Sequence, residues 1–182
     1  MDDSAPKKVA ELREALERAN IAKLKDLGSD FAEEAFVEQD ATLVELSMIA
    51  YSLAKFLEKP YIVNAPKWVD FRQEISGNLA LASEAAKKRD QTEYAAALAR
   101  IMHEILDLSA TMGRFVTSVL DKARIKAATQ MYAHGASLGA AAKLAGASKK
   151  ELSKYIGMTR IPEKYATIPV KTRLEEAEKA LK

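Results

Sequence analysis

The sequence predicts an all-α protein: a helical bundle followed by a helix-turn-helix and a short C-terminal helix. Three observations carry this. Apolar residues recur three and four positions apart along most of the chain, the interval that gathers them on one face of a helix. Capping residues, prolines and glycines punctuate those stripes where helices start and stop. The composition, 48% apolar and 30% charged over 182 residues, suits a folded chain with one good core or two small domains.

In chain order, residues 2–4 and Pro6 supply a capping residue and a first-turn proline. The helix they open carries Val9, Leu12, Leu16 and Ala19 on one face and is expected to reach Leu27, with Gly28 as its stop. Asp30 is placed to cap a segment bearing Phe31, Ala35 and Phe36, and Asp40 or Thr42 to cap the next. Leu43, Leu46, Ile49, Ala50, Leu53, Phe56 and Leu57 then form a strong stripe that Lys59 and Pro60 end, so this helix is expected in the core. Residues 61–65 read as a loop. Pro66 begins a helix with Trp68, Phe71, Ile75, Leu79 and Ala82 inward, and Lys87, Lys88 and Arg89 suit its C-terminus. From Thr92 and Glu93 a pattern without proline continues to His134 and Gly135, predicting one rod of roughly 60 Å. Gly113 and the charge change near Asp121 are its expected places to bend.

The chain is organised around residues 122–164. Ala142, Ala145 and Ala147 surround Gly146, and small residues at that spacing let two short helices cross closely. Gly146 supplies the positive φ of the turn. Ser137 is placed to cap the first helix, and Ser148 with Glu151 three residues on has the spacing of a capping box for the second. In that second helix Leu152, Tyr155 and Ile156 share one face, leaving Lys149, Lys150, Ser153 and Lys154 on the other. DNA-binding versions of the motif lay this helix in the major groove, its first residues at base edges and nearby cations on phosphates. The candidate DNA-facing residues are therefore Ser148, Lys149, Lys150, Ser153 and Lys154, with Lys143 and Arg160 as flanking cations. Ala142, Gly146, Leu152 and Tyr155 are the candidate packing residues. Beyond them, prolines at 162 and 169 predict extended backbone over 159–162 and 167–169, and Val170, Leu174, Ala177 and Leu181 line a closing helix.

The net charge of +2 hides a partition. Residues 1–121 carry 15 Lys+Arg against 21 Asp+Glu, a net of −6, whereas residues 122–182 carry 13 against 5, a net of +8. An acidic helical bundle joined to a basic segment has the electrostatic footprint of a nucleic-acid-binding module beside a structural or partner-binding one. We place the soft boundary near residue 121, with the long helix shared and with 1–121 expected to enclose a core of its own.

Little points to enzyme chemistry, and no cofactor motif is recognisable. Without cysteine, thiolate nucleophiles, disulfides and cysteine-ligated zinc are excluded. His103, Glu104 and Asp107 lie on successive turns of one helix, but a second histidine to complete a metal-binding helix is absent. The glycines at 135, 139 and 146 follow no strand and form no phosphate loop. Trp68, Phe71, Tyr51 and Phe56 lie at helical spacing, which favours core over a base-stacking platform. The acidic start lacks the basic and apolar regions of a secretory signal, and 43–57 is too short and too polar to span a bilayer, so a cytoplasmic protein off the membrane is expected.

Residues 132–152, with Tyr155, Ile156, Gly157 and the run Arg160, Ile161, Pro162, resemble the helix-turn-helix of small prokaryotic antitoxins paired with PIN-domain ribonuclease toxins. They also resemble archaeal proteins of similar length that place this motif after a helical region. The resemblance implies a DNA-facing role for Lys149, Lys150, Ser153 and Lys154 and a packing role for Ala142, Gly146 and Leu152. The expected function is duplex DNA binding as a transcriptional regulator, by a homodimer, because one short helix reads few base pairs. The alternative is an antitoxin-like or adaptor protein whose N-terminal bundle grips a protein partner and whose turn motif is structural. An RNA-associated protein is a third reading, weakened by the lack of aromatics set out for single-strand stacking.

Overall fold

A computed structural model of the chain describes residues 4–112 and 114–159 and, within these, the side chains outside 109–118. The protein is an all-α helical bundle, and the described residues form nine helices and no strand. The expected C-terminal helix, Arg160 and the extended stretches from 160 on lie outside the described residues, whereas Thr159, expected to be extended, is the last residue of a helix.

α1 (Ala5–Glu17) sends Val9, Leu12 and Leu16 into the core. It ends where Ala19 takes a φ of +48°, which lets the Asn20 N–H donate to the Ala15 carbonyl at 2.9 Å. Asn20 then starts α2 (Ile21–Glu38), its Oδ1 accepting from the Lys23 N–H at 3.0 Å. The break therefore falls at residues 18–20 and not at Gly28, and Asp30 lies inside α2 rather than ahead of it. Gly28 serves packing instead. A Cβ there would stand 3.4 Å from the Ser47 carbonyl oxygen and 3.5 Å from the Ala50 Cβ, so the α2 backbone runs close along the next helix. The Ser47 hydroxyl donates to the Gly28 carbonyl at 2.6 Å across that contact.

Of the two expected caps it is Asp40 that opens α3 (Ala41–Leu57), accepting from the Thr42 N–H at 2.7 Å, and Thr42 lies inside the helix. α3 is apolar on nearly every side, and eleven of its residues are buried, among them Ile49, Leu53 and Phe56. A helix of that kind belongs at the centre. It runs antiparallel to α2, with Gly28 beside Ser47 and Tyr51, and Lys25 of α2 2.6 Å from Glu58 at its far end. Each large aliphatic or aromatic side chain it withdraws from water contributes roughly 1.5–3 kcal/mol. Where a loop was expected at 61–65, residues Pro60–Val63 form one helical turn, α4. Proline in the first position pre-sets the helical φ, and Ile62 is buried beneath it.

α5 (Lys67–Lys87) buries Trp68, Phe71, Ile75, Leu79 and Ala82. Trp68 stacks on Phe71 at 5.4 Å between centroids, and Phe71 meets Phe56 edge-on at 5.6 Å. α1 lies antiparallel on α5, through Arg13 to Ser76 at 3.0 Å and Ser83 to the Pro6 carbonyl at 3.2 Å. Arg89, at φ +56°, reverses the chain, and Asp90 caps α6 (Gln91–Met112) by accepting from the Glu93 N–H at 3.0 Å.

The single long rod is replaced by two helices, α6 and α7 (Arg114–Ala133), running in opposite directions. α6 begins beside the start of α3, where Gln91 and Tyr94 share a pocket with Thr42 and Leu43. α7 returns along α3, its Lys126 near Tyr51 and Lys55 and its Gln130 near Ser47. The expected bend at Gly113 lies outside the described residues. Reversal lets the apolar faces of both helices meet the bundle, which a straight rod would leave half uncovered. α7 is also pinned to α2, through Gln130 Nε2 to Ser29 Oγ at 3.0 Å and His134 Nε2 to Glu33 at 2.8 Å.

α8 (Leu138–Leu144) and α9 (Lys149–Thr159) close the described chain. One hydrophobic cluster runs from Ala5 in α1 to Leu152 in α9. Residue 121, where the charge changes sign, lies inside α7.

Candidate nucleic-acid interface

α7, α8 and α9 pack each against the other two. The contact faces are small: Ala128 of α7 and Ala141, Ala142 and Ala145 of α8 and its end are buried, and Leu152 of α9 is fully enclosed. Tyr155 and Ile156 are half-buried. The joints are built from backbone chemistry. At the end of α7, Gly135 takes φ +100° and the Ala136 N–H donates to the Met131 carbonyl at 3.0 Å. At the end of α8, Gly146 takes φ +61°, and the Ala147 N–H donates to the Ala142 carbonyl at 2.9 Å. Ser137 Oγ accepts from the Ala140 N–H at 3.1 Å and starts α8, and Ser148 Oγ receives the Glu151 N–H at 3.4 Å and starts α9.

This geometry leaves one face of α9 open. Ser148, Lys149, Lys150, Ser153 and Lys154 are all exposed, and so is Lys143 on α8. Of the packing residues, Ala142 and Leu152 are buried, Tyr155 lies partly so, and Gly146 stands at the surface with its turn. Among the described residues, none of Lys143, Lys149, Lys150 and Lys154 has a carboxylate within ion-pair distance. Lys149 and Lys150 occupy the first two positions of α9, where the helix dipole disfavours cations. Their charges are locally unfavourable and face outward, an arrangement suited to external anions.

Beside this face is a feature that the sequence did not disclose. Tyr51 of α3, far from the motif in sequence, is half-buried against α7 and α9 and not enclosed in the core with Trp68, Phe71 and Phe56. Burial first, then Tyr155 and Glu58, push its phenol up to about 12. It borders a cleft of about 410 Å³ between α2, α3, α7 and α9, which Lys25, Lys55, Lys126 and Tyr155 also line. Only tertiary packing assembles it, since no local spacing links residues 25, 51, 126 and 155.

The other chemistry-bearing residues lie elsewhere on the bundle. His103 pairs with Asp107 at 3.3 Å on the outer face of α6. His134, following α7, lies 2.8 Å from the Gln130 carbonyl through Nδ1 as well as against Glu33. Glu104 faces Glu74 and Asp107, and burial followed by those two carboxylates raises its acid above the usual range. Among the described residues no group of three or more metal-ligating side chains converges, and no helix is long and apolar enough to cross a membrane. No protein-family model, curated protein or solved structure matches the chain.

Proposed function

We propose that the chain is a DNA-binding regulator that lays α9 in the major groove of duplex DNA. The observation that carries this is the open face of α9. Ser148, Lys149, Lys150, Ser153 and Lys154 are exposed together, without carboxylate partners among the described residues, while Leu152 anchors the opposite face. Lysines in this setting hold phosphates, and Ser148 and Ser153 offer hydroxyls that can donate to or accept from base edges. Lys143 contributes a phosphate contact from α8. A helix of this length reads only a few base pairs, so the working form is a homodimer on two half-sites about 34 Å apart.

The test is Lys149, Lys150 and Lys154 changed together to glutamate. Duplex binding should be abolished while helicity and melting stay nearly intact, because glutamate at the start of a helix is favourable and none of the three side chains packs inward. For the wild type, log affinity should fall linearly with log salt, with a slope reduced by roughly one unit for each phosphate-contacting lysine removed. Sedimentation at tens of micromolar reads the oligomeric state separately. A wild type without affinity for any duplex at low salt, or a triple variant that binds as the wild type does, leaves the partner-binding reading of the bundle in its place.

A further inference from the structure

The cleft between the bundle and α9 has the chemistry of a small-molecule site. Its volume of about 410 Å³ is within the range of pockets that enclose drug-sized ligands. Two tyrosine rings, Tyr51 and Tyr155, form part of its wall, and an ammonium is placed over each of them. Lys55 Nζ is 5.6 Å from the Tyr51 centroid, and Lys126 Nζ is 5.6 Å from that of Tyr155.

The charges do not cancel. Lys25 and Lys55 share one carboxylate, Glu58, at 2.6 and 2.7 Å. Lys126 is half-buried, and among the described residues it has no carboxylate partner. No acidic residue lines the cleft. Three ammoniums and one carboxylate leave an excess of about two positive charges, which a phosphomonoester carries in the opposite sense at neutral pH. Ser29 adds a hydroxyl. Its Oγ accepts from Gln130, and its own proton has no acceptor among the described residues.

We infer that this cleft binds a nucleoside monophosphate, its phosphate held by Lys126, Lys25 and Lys55 and its base set against the Tyr51 and Tyr155 rings. A phosphate alone would make no use of the aromatic wall, and an uncharged ring would leave the Lys126 charge uncompensated. Tyr155 belongs to α9, so the ligand touches the helix proposed for DNA while resting on α2, α3 and α7. Occupancy therefore ties the seat of α9 to a small molecule.

The full-length chain is titrated with AMP, adenosine and inorganic phosphate by calorimetry, and the amide resonances are followed by NMR. AMP should bind about tenfold or more tighter than either fragment, moving the resonances of Tyr51, Lys126 and Tyr155. Lys126→Gln should weaken AMP by about tenfold with an unchanged melting temperature. Lys25→Gln, at a half-exposed position, is the independent second variant and should weaken it several-fold. The inference is overturned if AMP at millimolar concentration moves none of these resonances. It is equally overturned if phosphate alone binds as tightly as AMP, or if both variants bind AMP as the wild type does. The titration contains no DNA, so its failure and the failure of duplex binding are read separately.

Discussion

Thr129 is the residue at which the fold spends stability without visible return. It is 5% exposed in α7, and among the described residues its hydroxyl has no hydrogen-bond partner. The buried hydroxyls of Ser47 and Ser52 differ, donating to the carbonyls of Gly28 and Met48 at 2.6 and 2.8 Å. An unsatisfied buried hydroxyl costs on the order of 1–3 kcal/mol. Valine keeps the shape and the β-branch while removing the polar atom. Thr129→Val should therefore stabilise the chain by about 1 kcal/mol, raising the melting temperature by roughly 2–4 °C in calorimetry. A lower melting temperature would mean that the hydroxyl has a partner after all.

At the scale of elements, α2 and α3 share the most extensive contact, and Gly28 lies within it. The Cβ of an alanine would meet its three nearest neighbours at 3.4, 3.5 and 3.6 Å, which is ordinary contact. Glycine within a helix costs about 0.5–1 kcal/mol relative to alanine. Gly28→Ala should thus be stabilising by about that much, whereas Gly28→Leu drives further carbons into the α3 backbone and should cost about 1–3 kcal/mol. Chemical denaturation of the pair of variants checks both signs, and an unstable alanine variant would show that the two helices sit closer than these distances allow.

The same glycine marks what a sequence discloses and what it does not. A glycine that ends a helix and one that lies inside a helix at a contact are written with the same letter, and only a partner 19 residues away, Ser47, distinguishes them. The real end of α1 uses Ala19 at positive φ, a residue with no left-handed preference to announce it. Asp40 and Ser137 were legible because a side-chain cap is a bond within three residues. The helical stripes, and the open face of α9, follow from period alone. The cleft was not legible at all, since Lys25, Tyr51, Lys126 and Tyr155 are brought together by four different helices.

For the whole molecule, α7 matters most. Its later half packs on α2 and α3, with Ala123, Ala127 and Met131 buried, and the same helix carries α8 and α9. A chain ended at Asp121, at the change of charge, would strip that half and leave Ser29 and Glu33 without Gln130 and His134. Such a fragment should melt roughly 10 °C or more below the full chain, with a broad transition and dye-binding apolar surface. A fragment ended at Ala136 keeps α7 and its terminal turn, and should still melt cooperatively. Equal melting of the two fragments would show that the bundle does not need the later half of α7.

α3, enclosed along most of its length, bears on how such a chain diversifies. A change at Ile49, Leu53 or Phe56 meets side chains from other helices, and because contacting residues are coupled, an acceptable new residue usually needs a second change elsewhere. Lys149, Lys150 and Ser153 have no such neighbours on their outer side. Inheritance in this fold is thus of two speeds: a central helix held in step with the elements around it, and an outer face on α9 free to change one residue at a time.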